Sequence, residues 1–305
     1  MIFKFFKYII SFVFILILAF IISLYWPRTL AKLEGVNTVL PIIQANTPAT
    51  KVHFIKTGEV TTLDAFTYAG GSLIKTKTLA HGAMLIEHPK GNVLIDGGLG
   101  VNASAQFEAD MPGHMKPLME FTQLTDTKSA IEKKGLTLPE KIILTHAHWD
   151  HASGLEDFIN IDVLVNAKEK HYIDTHGVPD IFPSQVLNKS FNWAVFEFEN
   201  VPYGIFDKSY DVYNDGSIVV VPLSGHTPGS VGIFVNNKHA RRFFIGDAVW
   251  NLNAIEKRRP KMWVSGLLTD NHSKNTIDQI SLLHEIKIQN PDLIMIPAHD
   301  FESWK

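Results

Sequence analysis

The run Thr145-His146-Ala147-His148-Trp149-Asp150-His151 constrains this chain more than any other feature. It follows directly on Lys141-Ile142-Ile143-Leu144, a short apolar run suited to a buried strand. Two histidines at alternate positions point the same way if the strand continues, and converge if the chain turns sharply after it. Either arrangement lets two neutral imidazoles bind one metal ion. Asp150 and His151 then offer an oxygen and a nitrogen to a second ion close by. Imidazole and carboxylate are the ligands zinc accepts in catalytic sites, which also keep a position open for water. Incidental surface histidines would seldom fall in this order after an apolar strand.

Composition narrows the chemistry further. The 305 residues include no cysteine, which excludes disulfides, thiolate nucleophiles and cysteine zinc sites. A hydrophobic share of 46% and a charged share of 19% suit one large globular domain or two small ones. The net charge of −3 makes no electrostatic case for nucleic acid. The expected partner is a small-molecule substrate, and oligomeric state is not legible.

Residues Tyr8 to Trp26 run without a charge, close to the ~20 residues needed to cross a bilayer core. Lys4 and Lys7 precede them, and Tyr25 and Trp26 stand where an aromatic belt would meet the lipid interface. The expectation is therefore a membrane anchor over 1–26, a linker over 27–50 and a single domain over 51–305. Signal-anchor logic places that domain on the periplasmic or extracellular side. Arg28 and Lys32 nearly balance the leading lysines, and secretion after signal cleavage is the alternative.

In the body, short β-runs are broken by turns. Ala83–Glu87 and Val93–Asp96 flank the turn Pro89-Lys90-Gly91-Asn92, and the strand spacing continues to Leu293–Ile296. Asn275 to Ile288 has helical spacing, with Ile277, Ile280 and Leu283 toward the core. Strands in both halves with a few helices point to a layered α/β domain.

The His146–His151 run resembles the HxHxDH motif of the metallo-β-lactamase superfamily. The other elements of that family follow in order: Gly225-His226-Thr227-Pro228-Gly229-Ser230, Gly246-Asp247-Ala248 and Pro297-Ala298-His299-Asp300, with Asp96-Gly97-Gly98 upstream. The resemblance covers about residues 52 to 302 and implies a four-layer αββα sandwich. It also implies two zinc ions, the first held by His146, His148 and His226. Asp150, His151 and His299 would hold the second, with Asp247 bridging both. Other divalent transition metals would suit the same donors. A hydroxide between the ions would attack a carbonyl, Asp150 would relay a proton to the leaving group, and Asp96 would orient a ligand from behind.

A bridging Asp247 resembles the acyl-homoserine lactonase-like branch more than the zinc β-lactamases, so a lactone or related ester is the expected substrate. β-Lactam, phosphodiester and thioester hydrolysis are the alternatives within the fold, and a non-catalytic metal-binding module is the alternative outside catalysis. Where lactonases often carry a Tyr, three residues after the bridging Asp, this chain has Trp250. Met115, in a Met- and Pro-rich stretch from Phe107 to Leu124, is a second candidate substrate contact; that stretch could cover the substrate or pack as core. Glu256-Lys257-Arg258-Arg259 with Lys261 reads as a solvated loop or as a site for an anionic group. His81 and His114 lie in loops that could approach the metals.

Overall fold

Runs rich in Val, Ile and Phe alternate between two apolar faces and so build sheets buried on both sides. The computed structural model describes residues 2–25, 29–187 and 189–304, with a few side chains of the first helix left out. The strands are β1 Lys51–Leu63, β2 Thr76–Glu87, β3 Val93–Ile95, β4 Thr122–Gln123, β5 Lys141–Ile143, β6 Asp162–Asn166 and β7 Asn192–Phe196. They continue with β8 Tyr210–Asp211, β9 Ile218–Pro222, β10 Val231–Asn237, β11 Ala240–Phe244 and β12 Leu293–Ile296. One sheet has the order β4-β1-β2-β3-β5-β6-β7 and the other β12-β11-β10-β9-β8.

The side-chain period of two sorts neighbours into separate cores. Met84, Ile86, Ile95 and Ile143 of the first sheet meet Ile218, Val220, Ile233 and Phe244 of the second between the sheets. Their neighbours Leu85, Leu94 and Ile142 face outward against Ile131, Leu155 and Tyr172. On the other outer face Val219, Phe234 and Phe243 pack on Ile255, Ile280 and Leu283, the last two from the helix Ser273–Gln289. Helices thus cover both outer faces, and the expected four layers are present. Burying each such side chain contributes ~1.5–3 kcal/mol, and slipping a strand by one residue would exchange its two faces.

This layering also places the chemistry. β5 runs parallel to β3, and β12 parallel to β11. Their C-terminal ends lead into Thr145, Gly246 and Pro297 at one edge of the sandwich, where open α/β sheets place their ligands.

The N-terminal expectation fares differently. A helix runs Ile2–Tyr25, and its described side chains are exposed. Among the described residues, however, no helix is long and apolar enough to cross a membrane. Trp26, Pro27 and Arg28, on which the anchor's boundary and orientation depend, lie outside the described residues. The segment expected as a linker is irregular but laid against the body. Leu30 N–H donates to Arg258 C=O at 2.7 Å, and Thr38 and Leu40 N–H donate to the Gln289 and Asn290 side chains at 2.9 Å.

One carboxyl away from these turns is held above its ordinary range. Burial, followed by repulsion from Asp126 and Glu156, raises Asp157 to about 6, although Val101 N–H donates to it at 2.9 Å. A raised carboxyl contributes stability that is complete below its unfolded value of 3.8 and lost as pH climbs through about 6. Asp157→Asn is therefore expected to match wild type near pH 4 and to exceed it by ~1 kcal/mol at pH 7.5, after allowance for solvent screening at this partly exposed group. Urea melts at both pH values check this; an equal difference at both would assign the effect to packing.

Candidate active site

Each candidate ligand sits on a turn that begins where a strand ends. After β5, Thr145 is clamped by Asp96, whose Oδ1 accepts Thr145 N–H at 2.7 Å and whose Oδ2 accepts the Thr145 hydroxyl at 2.8 Å. Asp96 adopts φ +60°, a strained region for a non-glycine residue, and such strain persists only where the surroundings hold it. The chain then turns through His146 and His148 into the short helix Trp149–Ala152, which carries Asp150 and His151. His226 lies on the loop between β9 and β10. There Gly225 has φ +153°, and a Cβ on it would stand 2.6 Å from Thr276 N, so only glycine fits. Asp247 follows β11 and His299 follows β12.

The seven expected ligands converge. The rings of His146, His148 and His226 lie 4.5–4.7 Å apart, centroid to centroid. Asp247 stands between this trio and the other set: its Oδ2 is 3.5 Å from His226 Nε2 and 2.9 Å from His299 Nε2, and its Oδ1 is 3.3 Å from His151 Nε2. Asp150 Oδ2 lies 3.5 Å from His299 Nε2 and 3.8 Å from His151 Nε2. Grouped by mutual reach, the donors form three sets, the first two sharing His146: His146 with His148 and His226; His146 with His151 and Asp247; and His81 with Asp150 and His299. The first is the expected trio. The other two divide the expected second set and add His81.

The tautomers are prepared for a cation. His151 donates through Nδ1 to Asp96 Oδ2 at 2.8 Å, His226 to Asp270 Oδ1 at 2.9 Å, and His299 to Ala80 C=O at 2.7 Å. A proton on Nδ1 leaves the lone pair on Nε2, the arrangement that orients histidine ligands of metals. Among the described residues the Nε2 atoms of His146 and His226 are buried without a hydrogen-bond partner. Orphaned acceptors of this kind are costly, and a divalent ion satisfies them at once, so the donor set fits one.

The electrostatics agree. Burial, and then the neighbouring histidines, holds His146 well below the usual imidazole range, which keeps it neutral. Burial likewise lowers His226, with Lys261 next in effect. For Asp247 burial acts upward, but His299 and His151 outweigh it and hold the carboxyl well down. Burial opposes charge on His151 and His299 too, yet Asp96, Asp150 and Asp247 raise the first and Asp247 and Asp150 the second, a concentration of negative charge that suits a bound cation in place of those protons.

A cavity of about 250 Å³ opens over this floor. His148, Asp150, His226, Asp247 and His299 reach it, and Met111, Met115, Leu118 and Met119 form one wall. The Phe107–Leu124 stretch borders the cavity through these residues, while Phe107 packs with Trp149 and Phe182 in a small core beneath. Trp250 also borders the cavity, but its indole N–H is already given to Asp247 Oδ2 at 2.9 Å. Arg259 and the rest of the basic run lie outside the lining, and Lys261 is buried rather than solvated. His114 is exposed and outside the lining.

One contributor was expected near the metals but in another element, and two were not legible beforehand. His81 lies on β2 rather than in a loop, and its Nδ1–H donates to Asp150 Oδ2 at 2.8 Å. Glu169 ties the histidine loops together from the helix Ala167–Thr175. Asp270 holds His226. A histidine in a strand facing the motif was the one available signal; Glu169 and Asp270 carried none.

Known proteins place this geometry. The chain is 24% identical to N-acyl homoserine lactonase AttM of Rhizobium radiobacter over 231 residues, 72% of this chain and 81% of that protein. It is 25% identical to a probable metallo-hydrolase of Mycobacterium tuberculosis over 272 residues, 84% and 82% of the two. Among solved structures, a quorum-quenching N-acyl homoserine lactone lactonase superposes with a TM-score of 0.63 at 18% identity, over 85% of this chain and 95% of that one. An N-acyl homoserine lactone hydrolase with N-hexanoyl-L-homoserine at its catalytic metal center gives 0.64 at 18%, over 85% and 96%. At these identities the superpositions speak for the fold. Residues 78–299 match the metallo-beta-lactamase superfamily, and with the fold and the His/Asp centre in agreement, the chain belongs to that superfamily and is a metal-dependent hydrolase.

Proposed function

We propose that this chain hydrolyses a neutral lactone or related ester with an apolar acyl part, using two zinc ions. His146, His148 and His226 would hold one ion, and Asp150, His151 and His299 the other, with Asp247 shared. The observation that carries the reading is the position of Asp247, within 3.5 Å of histidines from both sets at the floor of one cavity. A pair of such ions supplies Lewis acidity and water activated near neutral pH.

The chain's own residues do the rest. Asp150 has Oδ2 tied to His81 and faces the cavity, a position from which it can hand a proton to the departing oxygen. Met111, Met115 and Trp149 would line the acyl part and exclude water. No Lys or Arg borders the cavity among the described residues, which disfavours a phosphodiester. Trp250 would offer a substrate its ring face, since its N–H is engaged. The names of the lactonase relatives support the lactone; a complete donor set argues against a non-catalytic module.

The test is hydrolysis by the full-length, zinc-loaded protein of an acyl-homoserine lactone, an aryl ester, a phosphodiester, a thioester and a β-lactam. Lactone or ester turnover is expected, reduced at least ~100-fold by His148→Ala and abolished by a chelator until zinc is restored. Turnover confined to the phosphodiester or the β-lactam would sink the substrate reading.

We also propose attachment to a membrane, with the hydrolase domain on the outer side. Its support is the uncharged sequence from Tyr8 to Trp26. Carbonate washing of membranes carrying the full chain tests this, and release into the supernatant would refute it.

A further inference from the structure

A buried lysine lies behind the candidate centre and outside the cavity lining. Lys261 has a side chain only 1% exposed, and its Nζ is 2.6 Å from Asp270 Oδ1, whose side chain is 4% exposed. Withdrawing an ammonium group from water costs several kcal/mol unless it is paired and hydrogen-bonded. A buried pair is thus weak evidence for stability alone, and its contacts show what else it touches.

They lead to both halves of the centre. Asp270 Oδ1 also accepts the Nδ1–H of His226 at 2.9 Å. Lys261 Nζ and His226 Nδ1 are 3.2 Å apart. Both are donors converging on one oxygen, so this short separation is the signature of a shared acceptor rather than a bond between them. The sharing keeps the His226 proton on Nδ1 and its Nε2 lone pair toward His146 and His148. On the other side, Lys261 Nζ lies 4.6 Å from the centroid of the Trp250 ring. A cation over an indole face is worth ~2 kcal/mol when desolvated, enough to hold the ring plane. The ring edge then presents its N–H to Asp247 Oδ2 at 2.9 Å.

We infer that Lys261 is a positioning residue for both candidate metal positions, acting on one through Asp270 and His226 and on the other through Trp250 and Asp247. The inference rests on the dinuclear reading of the site. It also gives Trp250 a second role beside the ring face it turns to the cavity: the indole N–H supports Asp247.

The test compares full-length wild type, Lys261→Met and Asp270→Asn. Cobalt(II) is titrated against a competing chelator while the visible spectrum is recorded, and a thermal melt is run beside it. Wild type is expected to take up two equivalents. Lys261→Met is expected to weaken uptake 10–100-fold, the usual effect of losing a group behind a metal ligand, and to shift the spectrum. Asp270→Asn should shift it in the same direction. Two equivalents in all three proteins, with wild-type spectra and only a lower melting temperature in the variants, would overturn the inference while leaving the dinuclear reading intact. Should Lys261→Met fail to fold, an unchanged spectrum in Asp270→Asn overturns it equally. Fewer than two equivalents in wild type would bring down both.

Discussion

Asp247→Asn is expected to lower kcat/KM by about 10³-fold, ~4 kcal/mol of transition-state stabilisation, and to leave the protein holding fewer than two metal ions. The carboxylate stands where the two candidate sets meet, 3.5 Å from His226 and 2.9 Å from His299 through Oδ2, and 3.3 Å from His151 through Oδ1. Asparagine keeps the shape but offers one oxygen and an NH₂, and an NH₂ cannot face a cation. It would also turn a donor toward either the Trp250 N–H or the His151 edge. The loss of charge spreads: Asp247 is one of three carboxylates that raise His151. Trp250→Phe, which takes away the hydrogen bond to Asp247 but leaves the carboxylate in place, should cost far less. Steady-state kinetics with metal counting by plasma mass spectrometry decides the matter. Two bound ions and activity within tenfold of wild type in Asp247→Asn would show that the carboxylate is not shared.

The centre was legible in the sequence because four of its donors come in one dense run and the other three stand singly on turns shortly after a strand. His146 to His151 is a contiguous run after β5, and Asp247 and His299 follow β11 and β12, so strand order brings them to one edge. The strands themselves were legible where both faces are apolar, as at Val93–Ile95 and Leu293–Ile296. Thr76–Gly82 was not, because its residues are mostly polar and it contains Gly82. Packing explains that glycine: a Cβ there would lie 2.3 Å from Ile55 O across the β1–β2 pairing. His81 was misplaced in a loop for the same reason. Lys261 was hidden differently, at the end of a basic run whose other members justify the reading of a solvated loop. Burial of one lysine among several depends on tertiary partners, here Asp270 and Trp250, that no local pattern announces.

Glu169 is the residue whose effect sequence reasoning could least anticipate, and its replacement by alanine is expected to destabilise the fold by about 4 kcal/mol. Its carboxyl is fully buried and accepts three hydrogen bonds from the two histidine loops. Ala147 N–H, between His146 and His148, donates to Oε1 at 2.8 Å. The Thr227 hydroxyl, next to His226, donates to Oε2 at 2.6 Å, and Gly229 N–H does so at 3.1 Å. The carboxyl therefore fixes the distance between the chain segments that present the first trio. Removing it leaves two buried N–H groups without their acceptor, leaves the Thr227 hydroxyl only Ser230 Oγ at 2.7 Å, and opens a cavity against a tightly packed loop. Gly229 already packs so tightly on this helix that a Cβ there would be 2.1 Å from Glu169 N. On a chain of this size the loss corresponds to a fall of roughly 6 °C in Tm. Glutamine is not a neutral replacement, because its NH₂ would face donors, and about half the effect is expected from Glu169→Gln. Since the clamp holds the loops of His146, His148 and His226 and touches nothing in the other set, the metal affinity of that trio should weaken first. Thermal melts with and without zinc, and stepwise chelator titration, separate the two consequences. A Tm within 2 °C of wild type in Glu169→Ala would mean that the loops keep their places without it.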